Sequence, residues 1–241
     1  MKTRISKIVN SLSTSQTLAI TSRVAELGAE GKDILSFTAG QLDFPTPDYI
    51  KEAAKKAIDQ NFTRYTPAAG IPELKKAISE WTKTKINQEY SANEIIISCG
   101  AKHSIYNVIR SIINPGDEVV FFSPYWVSYP EIVKSCGGVP VAVESLAKNN
   151  FLNAITKLKE NITEKTAAII INSPNNPTGA VYDMEYMKEI ANLIKNRDII
   201  VISDEIYSEI VFDGKTHYSF ASIPGMRDRT IVINGVSKMF S

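Results

Sequence analysis

The sequence predicts an α/β protein in three layers, a mostly parallel sheet with helices on both faces. Two observations carry this. Short, nearly all-apolar runs rich in Val and Ile recur along the chain, as expected of strands covered on both sides. Between them lie longer segments whose apolar residues repeat at helical spacing. Alternation of the two patterns is the mark of βαβ units, whose crossovers lay helices over a parallel sheet.

The elements run in order along the chain. Thr46 and Pro47 read as an N-cap and a first helical residue, with Ile50, Ala53, Ala54, Ala57 and Ile58 on one face. Pro72 opens a second helix carrying Leu74, Ala77, Ile78 and Trp81. A strand is expected at 94–98, then a third helix marked by Ile105, Val108, Ile109 and Ile112. Strands are expected at 118–122, 139–143 and 167–172. Asp183 caps a fourth helix with Met187, Ile190, Ala191 and Ile194, and strands at 199–203 and 230–234 complete the set.

Composition narrows the function classes. The 241 residues are 44% apolar and 22% charged, values of an ordinary globular chain. A net charge of +1 gives no basic excess to displace counterions, which argues against nucleic acid as the main partner. Two cysteines, Cys99 and Cys136, are too few for a disulfide scaffold, and two histidines with no CxxC pair argue against a zinc site. The basic N-terminus is interrupted by Asn10, Ser11, Ser13, Ser15 and Gln16, so it does not read as an export signal, and no apolar run has membrane-spanning length. A cytoplasmic protein with no membrane partner is expected.

Ligands of parallel sheets bind beyond the carboxyl ends of the strands, so the chemistry is sought there. After 94–98 come Cys99, Gly100, Ala101 and Lys102, small residues leading into a helix whose free N–H groups suit an anion. After 118–122, Trp126 offers a flat ring. After 167–172 the loop Ser-Pro-Asn-Asn-Pro-Thr-Gly is stiffened by two prolines and presents Asn175 and Asn176. After 199–203, Asp204 is a carboxylate that burial would leave in need of a partner, and Tyr207 a phenol. After 230–234 comes Lys238, an amine able to attack a carbonyl. Each has a bland explanation: a tight turn, a packing residue, a helix cap, a solvated lysine. Together they fit one ligand, a planar pyridine aldehyde bearing a phosphate and a phenolic oxygen, which is pyridoxal phosphate.

These residues carry a resemblance. The chain resembles the class I aminotransferases of pyridoxal-phosphate fold type I, in the bacterial aspartate aminotransferase branch. Its markers are TAGQLDFPTP (38–47), RYTPAAGIPELKKAI (64–78), NPGDEVVFFSPYWVSYPE (114–131), INSPNNPTGAVY (171–182), SDEIY (203–207) and NGVSKMFS (234–241). The resemblance implies an N-terminal arm with part of a small domain over 1–45 and a pyridoxal-phosphate-binding large domain over 46–241. It implies Lys238 as the Schiff-base lysine and proton carrier, Asp204 as partner of the pyridinium nitrogen, and Tyr207 and Asn176 as holders of the phenolic oxygen. Gly100, Ala101 and Lys102 would receive the cofactor phosphate. Trp126 would stack on the ring, and Gly40 would meet the substrate carboxylate beside Trp126 and Asn176. Tyr65 would reach the phosphate of a neighbouring subunit, which implies a homodimer.

The implied reaction is ping-pong transfer of an amino group from an L-amino acid, aspartate first, to 2-oxoglutarate. A carbon–sulfur lyase and a prephenate or aromatic aminotransferase are the alternatives on the same fold. A regulatory module would carry a DNA-binding domain ahead of the match. Leu42 stands where the family commonly has proline, and Gly235 where many relatives have a phosphate-binding serine. The family pattern runs well over a hundred residues past the lysine and supplies arginines for the phosphate and the substrate carboxylate. The 241 residues alone are therefore expected to form an incomplete sheet and an inactive fragment.

Overall fold

A computed structural model describes residues 4–14, 16–36, 40–146 and 154–241. Thr38 and Ala39 of the first marker lie outside the described residues. In chain order the elements are α1 (Lys7–Ser11), α2 (Gln16–Ala29), α3 (Asp48–Asp59), α4 (Pro72–Ile86), α5 (Ala101–Ile112), β1 (Glu118–Ser123), α6 (Ser128–Ser135), β2 (Val139–Glu144), α7 (Ile155–Asn161), β3 (Thr166–Asn172), α8 (Met184–Ile194), β4 (Ile200–Asp204), β5 (Thr230–Ile233) and α9 (Val236–Met239). The five strands form one sheet in the order β2-β1-β3-β4-β5, and each recorded pairing is parallel. The expected α/β class therefore holds.

Side-chain alternation along the strands divides the core in two. Val120, Phe122, Ile169, Ile171 and Val201 face a layer that includes Leu158 of α7 and Met187, Ile190 and Ile194 of α8. Val119, Phe121, Ala168, Ile170 and Ile202 face Ile105 and Ile109 of α5 and Tyr129, Ile132 and Val133 of α6. Both faces being covered explains why these strands read as unbroken apolar runs. α8 starts where the sequence places it, since the Asp183 side chain accepts the N–H of Tyr186 at 2.8 Å. Among the described residues, no helix is long and apolar enough to cross a membrane.

Two local expectations are corrected. The stretch 94–98 is not a strand. Residues Ala92–Glu94 form a single 3₁₀ turn closed by Ser91 and Glu94, and beyond it the Ile97 N–H bonds to the Ala69 carbonyl at 3.1 Å. Its backbone is extended at Ile95, but a strand needs a ladder beside it, and β5 is the last strand of the sheet on that side. Thr46 is not the cap of α3 either. Pro47 takes the N-cap position without a side-chain bond, and the Thr46 hydroxyl donates to the carbonyl of Ser241 instead.

The two-sided packing predicts the effect of emptying it. Ile169 on the central strand is fully buried. Ile169→Ala should lower the unfolding free energy by about 2–5 kcal/mol in denaturant melts, through lost transfer energy and a residual cavity. A loss below about 1 kcal/mol would contradict a tightly packed layer at that position.

Candidate functional site

Parallel register brings the strand ends level. Asn172 at the end of β3 lies opposite Asp204 at the end of β4, and Asp204 lies opposite Ile233 of β5. The loops after these three residues therefore emerge at one edge. From β1 the chain goes to β2 on one side and to β3 on the other, so the order reverses there, which is where sheets of this kind open a crevice.

The loop after β3 separates the two asparagines that the sequence leaves equivalent. Asn175 is buried and internal: its Oδ1 accepts from the N–H and hydroxyl of Thr178, at 3.2 and 2.8 Å, and its backbone bonds to Gly179 and Ala180. Asn176 is held from below, its N–H donating to Asn172 Oδ1 at 2.8 Å, which leaves its side-chain amide to reach the Tyr207 hydroxyl at 3.3 Å. Asn172 uses its own Nδ2 on the carbonyl of Asp204 at 3.0 Å. One buried amide thus ties the loop after β3 to the end of β4.

Asp204 is only 3% exposed. Its Oδ2 accepts the Tyr129 hydroxyl at 2.5 Å and its Oδ1 the Ile206 N–H at 3.3 Å. Burial pushes its pKa up to about 6, against those two donors, with the neighbouring Glu205 charge adding to the rise. The turn after it is not helical, so Asp204 is not a helix cap. Glu205 is equally buried but fully engaged: it accepts from Ser203 and Ser219 at 2.7 and 2.6 Å and meets His217 Nε2 at 3.1 Å. Burial also raises the pKa of Tyr207, with the Asp204 charge beside it, so that phenol keeps its proton.

α5 begins beside α6 and β5. Gly100 has φ +83°, a left-handed backbone that a side chain would strain, and nothing crowds the place of its missing Cβ. The N–H groups of His103 and Ser104 return to the Gly100 carbonyl. Those of Ala101 and Lys102, the first two of the helix, have no acceptor among the described residues. The Lys102 ammonium lies 5.2 Å from the Trp126 ring centroid, and Trp126 meets Tyr129 edge-on at 5.5 Å. Lys238 in α9, directly after β5, lies 6.0 Å from the Tyr207 ring centroid, and its amine donates to the Gly40 carbonyl. Gly235 is extended, and a Cβ there would come within 3.2 Å of Ile206 Cδ1, so a serine would be accommodated only if Ile206 gave way.

These contacts form one unbroken chain: Gly40, Lys238, Tyr207, Asn176, Asn172, Asp204, Tyr129, Trp126, Lys102. Every expected site residue but Tyr65 belongs to it or flanks it; Tyr65 is fully exposed beside Thr63 and Arg64. Sequence reasoning misses Asn172 and Tyr129. No helical pattern marks Tyr129, because Trp126 lies before α6 and Tyr129 within it.

The fold and site together define an α/β protein with an amine, a buried carboxylate and open helix N–H groups at the carboxyl edge of a parallel sheet. Comparison with known proteins identifies the family. The sequence pattern of aminotransferase class I and II matches residues 32–241. The aspartate aminotransferase of Bacillus sp. (strain YM-2) is 46% identical over 242 residues, covering 100% of this chain and 62% of that protein. The aspartate/prephenate aminotransferase of Thermus thermophilus is 40% identical over 237 residues, covering 98% of this chain and 61% of that protein. The solved Thermus thermophilus aspartate aminotransferase with maleate superposes with a TM-score of 0.94 at 39% identity, over 99% of this chain and 62% of that one. The chain belongs to the class I and II aminotransferases, and it spans about three fifths of the length of these relatives.

The buried carboxylate predicts a pH effect with a definite sign. Asp204 holds its proton more tightly folded than unfolded, where the ordinary value is 3.8. Its unfavourable contribution is therefore absent below that value, grows as pH rises to about 6, and is constant beyond. A rise of that size corresponds to about 3 kcal/mol. Asp204→Asn keeps an acceptor for Tyr129 and removes the charge. Without cofactor, the variant should be more stable than the wild type near pH 7, by up to about 3 kcal/mol in denaturant melts, and the gain should vanish below about pH 4. Equal stability of the two proteins across that range would contradict the buried charge.

Proposed function

We propose that the natural protein carrying this chain is a pyridoxal-phosphate-dependent aminotransferase that moves the amino group of an L-amino acid, aspartate first, to 2-oxoglutarate by a ping-pong mechanism. The observation that carries this reading is the unbroken chain of contacts from Lys238 through Tyr207, Asn176 and Asp204 to Trp126 and Lys102. The residues fit the cofactor on their own chemistry. A buried carboxylate whose oxygens each accept one donor keeps acceptor capacity for a protonated ring nitrogen, and two open N–H groups behind Gly100 suit a phosphate. When bound, pyridoxal phosphate supplies an aldehyde that joins to amines and an electron-poor ring that accepts the charge left at the substrate α-carbon.

The chain's own residues do the rest. The Lys238 amine would hold the cofactor at rest and, when free, would serve as the base for the substrate α-proton. Asp204 would favour a protonated ring nitrogen by placing a negative charge beside it. The Tyr207 hydroxyl and the Asn176 amide, already joined, would hold the phenolic oxygen. The start of α5 and Lys102 would meet the phosphate, and Trp126 would cover the ring. Gly40, next to the Lys238 amine, marks the approach of the substrate carboxylate.

A second copy of the chain is part of this reading. Tyr65 is fully exposed, and Phe44, Tyr49, Ile58 and Phe62, which precede it in the chain, are also exposed large apolar groups. α3 buries none of its residues within this chain, so its apolar face is available to a homodimer partner.

The test is covalent. Borohydride treatment of the natural protein with bound pyridoxal phosphate, followed by peptide mapping, should place the pyridoxyl group on Lys238, and Lys238→Ala should lose nearly all transamination between aspartate and 2-oxoglutarate. A label on Lys102, or turnover retained in Lys238→Ala, would sink the assignment.

A further inference from the structure

We propose that Tyr129 is the positioning residue of this site: its phenol, donating to Asp204 Oδ2, fixes the angle of that carboxylate and keeps it anionic toward the ring nitrogen of a bound cofactor. The proposal deepens the reading of Asp204 as the ring-nitrogen partner and rests on it.

The geometry leaves the phenol no other task. Tyr129 is 1% exposed, and its oxygen lies 2.5 Å from Asp204 Oδ2. Its ring cannot swing away. α6 anchors it to the sheet beside Ile132 and Val133, Phe121 packs at 5.9 Å from its centroid, and Trp126 stands edge-on at 5.5 Å. Burial and the Asp204 charge drive the phenol's pKa well above its ordinary value, so it stays protonated and acts as donor. The groups that face Asp204 otherwise favour its neutral form or are weak. Glu205 next to it is a like charge. Tyr207 is a protonated phenol whose hydroxyl accepts from Asn176. Asn172 bonds to the Asp204 carbonyl and not to its carboxylate, and the Ile206 N–H is at 3.3 Å. Tyr129 is therefore the one short donor to this carboxylate among the described residues.

Charge-assisted hydrogen bonds are the strong ones, and one in a buried place is stronger still. Remove the phenol, and desolvation acts on Asp204 almost unopposed. The carboxyl then becomes neutral at higher pH and is free to rotate about its last bond. Both changes weaken its grip on a protonated ring nitrogen. Tyr129 also braces Trp126, so one side chain orients the residue that holds the ring nitrogen and the residue expected to cover the ring.

The test uses Tyr129→Phe in the natural protein, with two readouts. The first needs no cofactor: the Asp204 carboxyl, followed by carbon NMR after isotopic labelling, should titrate at higher pH in the variant than in the wild type. The second is equilibrium binding of pyridoxal phosphate, which should weaken by about tenfold near pH 7 and recover toward higher pH as the carboxyl ionises. In an Asp204→Asn background the same Tyr129→Phe change should leave binding within about twofold, because the carboxylate through which Tyr129 acts is gone. An unmoved Asp204 titration, or an equal loss of affinity in both backgrounds, overturns the proposal. Failure of the wild type to bind pyridoxal phosphate would overturn the cofactor reading, and with it the proposed role toward the ring nitrogen, while the titration still decided the coupling of Tyr129 to Asp204.

Discussion

A carboxylate stands where water cannot reach it, at the end of a strand covered on both faces. That is the constraint around which this site is arranged. Asp204 sits among β3, β5 and α6, and each neighbour answers it: Asn172 on its carbonyl, Ile206 and Tyr129 on its oxygens. Burial of a lone carboxylate is unfavourable, and a fold gains nothing in stability from it. A parallel sheet tolerates one such group because its core rests on two apolar layers that do not depend on it. In the proposed function, that charge would serve the ring nitrogen of a bound cofactor.

The same register that buries Asp204 organises the rest. Because Asn172, Asp204 and Ile233 are level, three successive loops leave the sheet side by side and bring Asn176, Tyr207 and Lys238 together from positions 31 residues apart or fewer in each step. None of the contacts is costly alone. Their value is in joint placement, since a side chain held by a neighbour loses little freedom when a ligand arrives. Asn172 is the clearest case: one amide ties the loop after β3 to the end of β4.

Much of this is legible in the sequence, and the reasons differ by residue. Lys238, Asp204 and the Asn-Asn-Pro loop can be found because apolar runs mark strands, and ligands of parallel sheets sit at the strand ends that these residues occupy. Asn175 and Asn176 cannot be told apart there, because the difference lies in which amide the turn consumes. Tyr129 is hidden. A tyrosine on a helix face reads as core, and α6 itself escapes notice because it is short and carries Pro130, which a helix accepts in its first turn. The stretch 94–98 reads as a strand by composition, but strand formation is decided by a partner ladder, which local sequence does not contain. The site's carboxylate is visible in the chain; the donor that holds it at its angle is visible only in the fold.

The central claim is that the buried Asp204 charge keeps a ring nitrogen protonated. The most direct measurement is nitrogen NMR of pyridoxal phosphate labelled at its ring nitrogen and bound to the natural protein. The account predicts a pyridinium signal that persists well above the pH at which the free cofactor loses that proton, and its replacement by a neutral-pyridine signal in Asp204→Asn. A neutral ring nitrogen in the wild type near pH 7 would contradict it.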